Sequence, residues 1–250
     1  MVRSQSPQFQ DPFVVVLTGA GISADSGIAT FRDAGGLWEG HRVEDVATPE
    51  AWERNPRLVW RFYQLRRAQL REVAPNAAHL ALARFEQACA RADVGFELVT
   101  QNVDDLHDRA GSRTWHMHGE LSQIRCERCT ATVRGLDNLD PETLLACRQC
   151  GFPRMRPDIV WFGEVPYHLE RIERSLRRCT HFVSIGTSGV VYPAAGFLAA
   201  ARSRGAATVV NSLDEPANLH PRDRFVPGRA SDVVPSLLAD LASEVGIGDL

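Results

Sequence analysis

The stretch "VVVLTGAGISADSGIATFR", Val14 to Arg32, limits this chain more than any other. A β-branched run ends in Gly19-Ala20-Gly21, and Ala24 follows three residues after the second glycine. This is the Gly-x-Gly-x-x-Gly/Ala turn that carries a strand into a helix around a pyrophosphate, with glycines letting the backbone approach the phosphates. In a dinucleotide oxidoreductase, an acidic residue about 20 positions on, at the end of a second strand, binds the ribose. Here that region reads "DSGIATFRDAGGLWEG", polar and glycine-rich, with no strand pattern. The turn predicts a bound dinucleotide, in a site whose remainder departs from the oxidoreductase pattern.

Short, apolar, β-branched runs recur at Phe13–Thr18, Phe96–Thr100, His181–Ile185 and Ala207–Asn211, as strands buried on both faces do. Helical patterns lie between them. "NAAHLALARFEQACARA" starts at Asn76, a good N-cap after Pro75; "DDLHDRAG" closes on Gly111, suited to a left-handed C′ position; "SDVVPSLLADLASEVG" ends the pattern. The alternation predicts an α/β fold with a doubly wound, parallel, Rossmann-like sheet. Residues 33–73, whose helical pattern "PEAWERNPRLVWRFYQLRRAQLREV" is broken or kinked near Pro56, stand outside it. So do residues 121–156, which hold four cysteines and no long element. The expected organisation is one domain over residues 1–250. Its large lobe takes about 10–32, 74–120 and 157–250, and its small lobe joins the helical insertion (about 33–73) to a zinc ribbon (about 121–156).

Arginine supplies all 28 cationic side chains, and the sequence has no lysine. Phosphate-loop NTPases, kinases and Schiff-base enzymes each need one, so all three classes are excluded. A net charge of −3 gives no electrostatic reason to expect nucleic acid or a membrane surface. No apolar run approaches the roughly 18 residues of a membrane span, and the N-terminal segment lacks a signal core, so a cytoplasmic location is expected. In that compartment cysteines serve as metal ligands or buried thiols. Cys126, Cys129, Cys147 and Cys150 form C-x2-C-x17-C-x2-C, the spacing of a four-thiolate zinc site. Four protein ligands leave no open position, so one structural zinc ion is predicted. Cys89 and Cys179 lie in apolar helical patterns and read as inert thiols.

Three further segments end strands. "TQNVDDLH" sets Gln101, Asn102 and Asp104 at the C-terminal end of a parallel strand, where ligands bind in open α/β sheets; alone, it reads equally well as a helix cap. "TWHMHGE" puts His116 and His118 on one face if extended, as a general base or as structural histidines. "SIGTSGVVYPAAGF" offers a second strand-to-helix turn, able to present N–H groups to phosphate or simply to cap a helix.

In order and spacing, "GAGISADSGIATFR", "TQNVDDL", "HG", the four-cysteine ribbon, "RPDIVWFGE" and "GTSGVVYPAAGF" resemble the sirtuins, over about residues 13–245. The resemblance implies NAD-dependent removal of acyl groups from lysine side chains of proteins or peptides. NAD is then consumed, yielding nicotinamide and an O-acyl-ADP-ribose. It implies that Gly19, Ala20, Gly21, Ala24, Thr30, Phe31, Arg32 and Trp38 belong to the NAD-binding loop, Phe31 shielding the reacting ribose carbon. Gln101, Asn102 and Asp104 match the ribose and nicotinamide set, and His118 the general base. Gly186, Thr187 and Ser188 match phosphate and ribose contacts, Asn211 the adenosine side and Ala230 a backbone contact to adenine. Ile159–Glu164, with Val160, Trp161, Phe162 and Gly163, resembles the segment that pairs with the substrate backbone by strand addition. Many sirtuins have Asp-Phe-Arg where this chain has Thr30-Phe31-Arg32, and the spacing after Asn211 differs from theirs.

"RFYQLRRAQL" bears on the acyl group. On a helix Tyr63 and Arg66 share a face, and a phenol beside a guanidinium can hold a carboxylate. The same helix is arginine-rich, so Arg66 also reads as one more solvated cation. Tyr-x-x-Arg resembles the sirtuin branch that removes succinyl and malonyl groups, and Ala47 matches that branch's small residue. The expectation is a desuccinylase that also acts on malonyl and acetyl groups. Arg67, one position on, is expected to point away from the site. Alternatives are a plain lysine deacetylase, a non-catalytic module binding ADP-ribose or NAD beside a zinc ribbon, a zinc-bearing NAD oxidoreductase, and ADP-ribosyl transfer. Oligomeric state is left open.

Overall fold

The computed structural model describes residues 11–29, 37–38, 40–134 and 140–248. The first half of the chain forms β1 (Phe13–Thr18), β2 (Leu37–Trp38), β3 (His41–Arg42), α1 (Val43–Val46), α2 (Pro49–Arg54), α3 (Pro56–Gln69), α4 (Ala77–Arg91), β4 (Gly95–Thr100), α5 (Leu106–Ala110), β5 (Thr114–His116) and β6 (Gly119–Cys126). The second half adds β7 (Thr132–Arg134), β8 (Met155–Ile159), α6 (Leu169–Arg178), β9 (His181–Ile185), α7 (Phe197–Ser203), β10 (Ala207–Ser212), β11 (Arg224–Pro227) and α8 (Ala230–Glu244).

Six strands form one parallel sheet in the order β11-β10-β9-β1-β4-β5. The chain starts at the centre, moves out through β4 and β5, then returns to the other side of β1 and moves out through β9, β10 and β11. This is the doubly wound order, with its switch point between β1 and β9. All six residues of β1 are buried, and they alternate between two cores. Val14 and Val16 pack with Leu82 and Phe85 of α4 and Val234 and Leu238 of α8. Val15 and Leu17 pack on the opposite face with Leu176 of α6 and Leu198 of α7. Each such side chain, fully buried, contributes about 1.5–3 kcal/mol.

Asn76 caps α4 as its sequence signal predicts: it accepts from the Ala78 N–H, while His79 Nδ1 accepts from the Asn76 N–H. Gly111 ends α5 in the left-handed region at φ 96°. At Pro56 the chain breaks rather than kinks. Asn55 accepts from the Leu58 N–H and Pro56 takes the first helical position, so two helices replace one long pattern.

A third core joins the two segments that stood outside the alternation. Trp52, Trp60, Phe62 and Tyr63 from α2 and α3 pack with Leu121, Ile124, Met155 and Trp161. Beneath them β6 pairs antiparallel with β7 and β8. Residues 121–156 thus do hold a regular element, because most of the eight residues of β6 alternate buried and half-buried against this core. Among the described residues no helix is long and apolar enough to cross a membrane.

Candidate functional site

The glycine turns after β1 and β9 meet at the switch point. Gly19 N–H donates to Ile185 O at 3.0 Å and Gly21 N–H to Gly186 O at 2.9 Å. A Cβ on Gly21 would lie 2.7 Å from Gly186 Cα, and Gly186 has φ +64° with Ile22 N 2.5 Å from the place of its own Cβ. The glycines therefore let the two loops close on each other. Ala20 and Gly21 begin a half-buried 3-10 turn, and Ala24 is exposed on the next one. A small cleft at this end of the sheet is lined by Leu17, Gln101, Thr187, Gly189 and Val191. Thr187 is buried with Oγ1 3.0 Å from Ser184 Oγ, and Ser188 O accepts from the Ala217 N–H. Asn211 donates through Nδ2 to Val226 O (3.0 Å) and Gly228 O (3.1 Å), while its buried Oδ1 has no hydrogen-bond partner among the described residues. That orphan acceptor suits a ligand hydroxyl. Ala230 is buried at the first turn of α8. Thr30, Phe31 and Arg32 lie outside the described residues, as does the side chain of Trp38.

Behind Gln101, Asn102 and Asp104 runs a buried polar network. Ser23 Oγ donates to Asp104 Oδ2 at 3.0 Å and accepts from Asn102 Nδ2 at 3.2 Å. His79 Nε2 lies 3.4 Å from the same Oγ. Since His79 Nδ1 accepts, its Nε2 carries the proton, so the chain of donors ends on Asp104. Burial pushes the Asp104 carboxyl up, opposed by the Leu106 N–H and the Ser23 hydroxyl. His107 is fully buried, bonded to Thr18 Oγ1 at 3.0 Å, with its ring 4.8 Å from that of His79. The sequence reading missed Ser23, His79, His107 and Thr18. Ser23 sat inside the quoted turn, but no periodicity marks a polar side chain that folding buries.

His116 and His118 have different partners. His118 Nδ1 faces Gln101 O at 3.0 Å; a carbonyl only accepts, so Nδ1 holds the proton and Nε2 keeps its lone pair. Burial lowers the His118 pKa, only partly countered by that carbonyl. The ring is neutral and basic at Nε2. His116 Nε2 lies 2.8 Å from Asp108 Oδ2, and Nδ1 lies 3.4 Å from Asn102 O. Burial acts to lower its pKa, but the Asp108 hydrogen bond and charge raise it overall. His116 is thus held by an acceptor at each ring nitrogen. Gly119 then turns the chain at φ +81°, where a Cβ would lie 2.0 Å from Asp158 O. This close crossing brings the Val160 N–H onto His118 O at 2.8 Å.

On the small-lobe side, Tyr63, Arg66, Ala47 and the 159–164 segment converge. Ala47 is buried at the end of α1 and accepts from the Phe162 N–H at 3.0 Å. Arg66 is half-buried; its Nη1 donates to Phe62 O at 2.9 Å and its guanidinium lies 4.1 Å from the Phe62 ring centroid. Tyr63 is fully buried, and burial raises its pKa, with the Arg66 charge among the smaller opposing influences. Phe162 and Gly163 are exposed, whereas the Trp161 side chain turns into the core. Arg67 has a role the expectation of a side chain turned from the site did not include. It is buried, donating to Leu121 O, Gln64 Oε1 and Gln123 O, and so pins α3 to β6. A residue about 100° around a helix from a site still faces something when the helix is packed on two sides.

The four cysteine Sγ atoms lie within 4.8 Å of one another, with Cys126–Cys150 at 3.6 Å and Cys129–Cys147 at 3.7 Å. Tetrahedral zinc with bonds of about 2.3 Å requires sulfur–sulfur separations of about 3.8 Å, so the thiols fit the ion. Glu127, between the first two cysteines, accepts from Trp52 Nε1 at 2.7 Å and pairs with Arg154, joining the ribbon to α2.

Fold and site define a class: a Rossmann-like, dinucleotide-using protein with a four-thiolate second lobe. The model of the Sir2 family matches residues 19–193. A Caulobacter vibrioides protein named NAD-dependent protein deacylase is 49% identical over 93% of this chain and 98% of its own length. An Escherichia coli protein of the same name is 48% identical over 96% of this chain and 86% of its own. A solved Sir2 homologue–NAD complex superposes with TM-score 0.83 at 38% identity, covering 93% of this chain and 90% of that one. A mutant Sir2 homologue bound to ADP ribose gives TM-score 0.85 at 37% identity, covering 94% of each chain. The chain belongs to the Sir2 family.

Proposed function

We propose that the acyl group removed by this NAD-dependent protein deacylase is preferentially succinyl, with malonyl and acetyl as further substrates. NAD supplies the ribose carbon that the acyl oxygen attacks as nicotinamide leaves. His118 then takes a proton from a ribose hydroxyl at Nε2, and the freed oxygen attacks the bound acyl carbon. Water completes release of lysine and O-acyl-ADP-ribose. Gly19, Ala20, Gly21, Gly186, Thr187 and Ser188 hold the phosphates and ribose, and Asn211 Oδ1 takes an adenosine-side hydroxyl. The Ser23–Asn102–Asp104 network fixes the polar groups on the nicotinamide side. The peptide adds as a strand along Val160–Gly163. The N–H groups of Val160, Trp161 and Phe162 are already bonded, so the peptide pairs through carbonyls and the Gly163 N–H. The zinc has no open position and stays outside the chemistry.

The observation that carries the acyl assignment is that Tyr63 and Arg66 sit three residues apart on α3, on one face of that helix, with the Arg66 guanidinium over the Phe62 ring beside Tyr63. A succinyl carboxylate must shed water to enter, at a cost of several kcal/mol unless a cation and hydrogen bonds replace it. The test is one peptide carrying acetyl, malonyl or succinyl lysine, assayed with NAD for nicotinamide and O-acyl-ADP-ribose. Removing one partner of a buried charge pair costs roughly 2–5 kcal/mol, so Arg66→Met should lower the succinyl-to-acetyl ratio of kcat/KM about 30- to several-thousand-fold. An unmoved ratio, or a wild type that prefers acetyl, assigns plain deacetylation instead.

A further inference from the structure

Trp161 stands between two parts of the proposed site. Its backbone lies in the segment where the peptide strand adds. Its indole runs the other way into the small-lobe core, where Nε1 lies 3.0 Å from Tyr63 Oη. An indole N–H is a donor only, so the Tyr63 oxygen is the acceptor of this bond. With the indole donating to its oxygen, the phenol is set to act through its own O–H as a donor, the polarity an anionic acyl end requires. The bond is shielded from water, which strengthens it and makes its direction costly to reverse.

The indole is itself fixed on several sides. The Arg156 guanidinium stacks over it at 3.4 Å from the ring centroid, and the Trp52 ring lies 5.8 Å away on a tilted plane. Glu164 accepts from Arg156 Nη1 at 2.7 Å and Nη2 at 2.9 Å, and its Oε2 also accepts from the Trp161 backbone N–H at 2.8 Å. Arg156 Nη2 further donates to Ile159 O at 2.8 Å. One carboxylate and one guanidinium thus lock both the backbone and the ring of Trp161.

We infer that Trp161, locked by the Arg156–Glu164 pair, is the positioning residue that aims the Tyr63 hydroxyl at the acyl carboxylate. It couples seating of the peptide strand to discrimination of the acyl end. This inference rests on the proposal that Tyr63 and Arg66 receive that carboxylate.

Trp161→Phe removes the N–H and keeps an aromatic ring. One hydrogen bond is worth about 3- to 10-fold. The succinyl-to-acetyl ratio of kcat/KM should fall by that factor, chiefly through a higher KM for the succinyl peptide. Tyr63→Phe should lower the same ratio, and adding Trp161→Phe to it should lower the ratio no further. A residue that merely fills the core would weaken both peptides alike and act additively with Tyr63→Phe; either result overturns the inference. If Tyr63→Phe and Arg66→Met leave the ratio unmoved, the acyl assignment itself fails, and that outcome is separate. Should Trp161→Phe not fold, as judged by its melting curve, Glu164→Gln takes its place. It loosens the lock without removing the indole, and a smaller fall that vanishes in the Tyr63→Phe background is expected. Persistence of that fall without the Tyr63 hydroxyl overturns the inference.

Discussion

The nucleotide side and the acyl side of this molecule are built by different means. Around β1 and β9 the backbone makes the site: glycines at 19, 21 and 186 bring two loops into contact, and N–H groups meet carbonyls across them. Around α3 side chains make it: Tyr63 of α3 and Trp161 of the segment after β8 share one aromatic core, and Arg66, also on α3, lies over the Phe62 ring of that core. A backbone-built site tolerates changes in neighbouring side chains but not an added Cβ. A side-chain-built site can be retuned one residue at a time, which suits the acyl preference proposed for it.

Breaking the second lobe as a whole gives the largest expected effect. Four-thiolate zinc binding carries about 10–16 kcal/mol in small peptides, so losing one thiolate should cost several kcal/mol. Cys147→Ser should lose the one zinc per chain and the packing of Trp52, Trp60 and Trp161, which all lie in that core. Metal analysis and tryptophan emission during a melt read both. A zinc-free variant that melts like the wild type would show that the ribbon stands without its ion.

On the nucleotide side, His118→Ala should lower kcat by roughly 10²- to 10⁴-fold, the usual worth of a general base, with NAD binding retained. His116→Ala should act differently, lowering stability by emptying the buried space of the His116 ring and costing much less in turnover. Equal kinetic losses at the two positions would undo the assignment of Nε2 as the base.

Arg67→Met tests whether the acyl side depends on how α3 is anchored. It leaves Leu121 O, Gln64 Oε1 and Gln123 O without their donor, and about 3 kcal/mol of stability should go with it. The succinyl-to-acetyl ratio should move far less than in Arg66→Met. A melt unchanged from wild type would contradict the anchoring role.

The buried histidines behind the nucleotide site set a smaller, pH-dependent term. Burial pulls His79 down to about 4, while in the unfolded chain it titrates near 6.5. Below 6.5 the unfolded state binds the extra proton, so stability from this group is complete above that pH and is lost as pH falls toward 4. About 2 kcal/mol should be lost between pH 7.5 and pH 5. His79→Gln should remove that part of the slope, measured by denaturant unfolding at the two pH values. An unchanged slope would mean that His79 is protonated in the folded state.

How much of this was legible follows the same division. The central strand and its glycine turn stand in the sequence as one uninterrupted signal, and Phe13–Thr18 and His181–Ile185 form strands with the bounds read from it. The four-cysteine spacing is equally local, and the thiols do converge. Ser23, His79 and His107 were not legible, since three polar residues from three segments become a network only after the sheet buries them. β6 escaped because its alternation faces a core supplied by another part of the chain. Trp161 was assigned by its backbone neighbourhood, and its side chain serves the opposite side of the segment.

The smallest expected effect comes from Arg61, and it sharpens the contrast within one helix. α3 holds its arginines in three ways. Arg67 is buried against carbonyls, Arg66 is half-buried over Phe62, and Arg61 stands with 58% of its side chain exposed, 3.2 Å from an equally exposed Glu142. An exposed pair of this kind contributes between about 0 and 1 kcal/mol, because water screens the attraction and both long side chains lose freedom. Arg61→Met should therefore leave the melt within a degree or two and the succinyl-to-acetyl ratio unchanged. It removes the same charge from the same helix as Arg66→Met. If both variants shift the ratio alike, the helix acts through its overall positive field, and the acyl carboxylate is steered rather than bound. A shift in Arg66→Met alone places the recognition in one guanidinium and in the packing that fixes it.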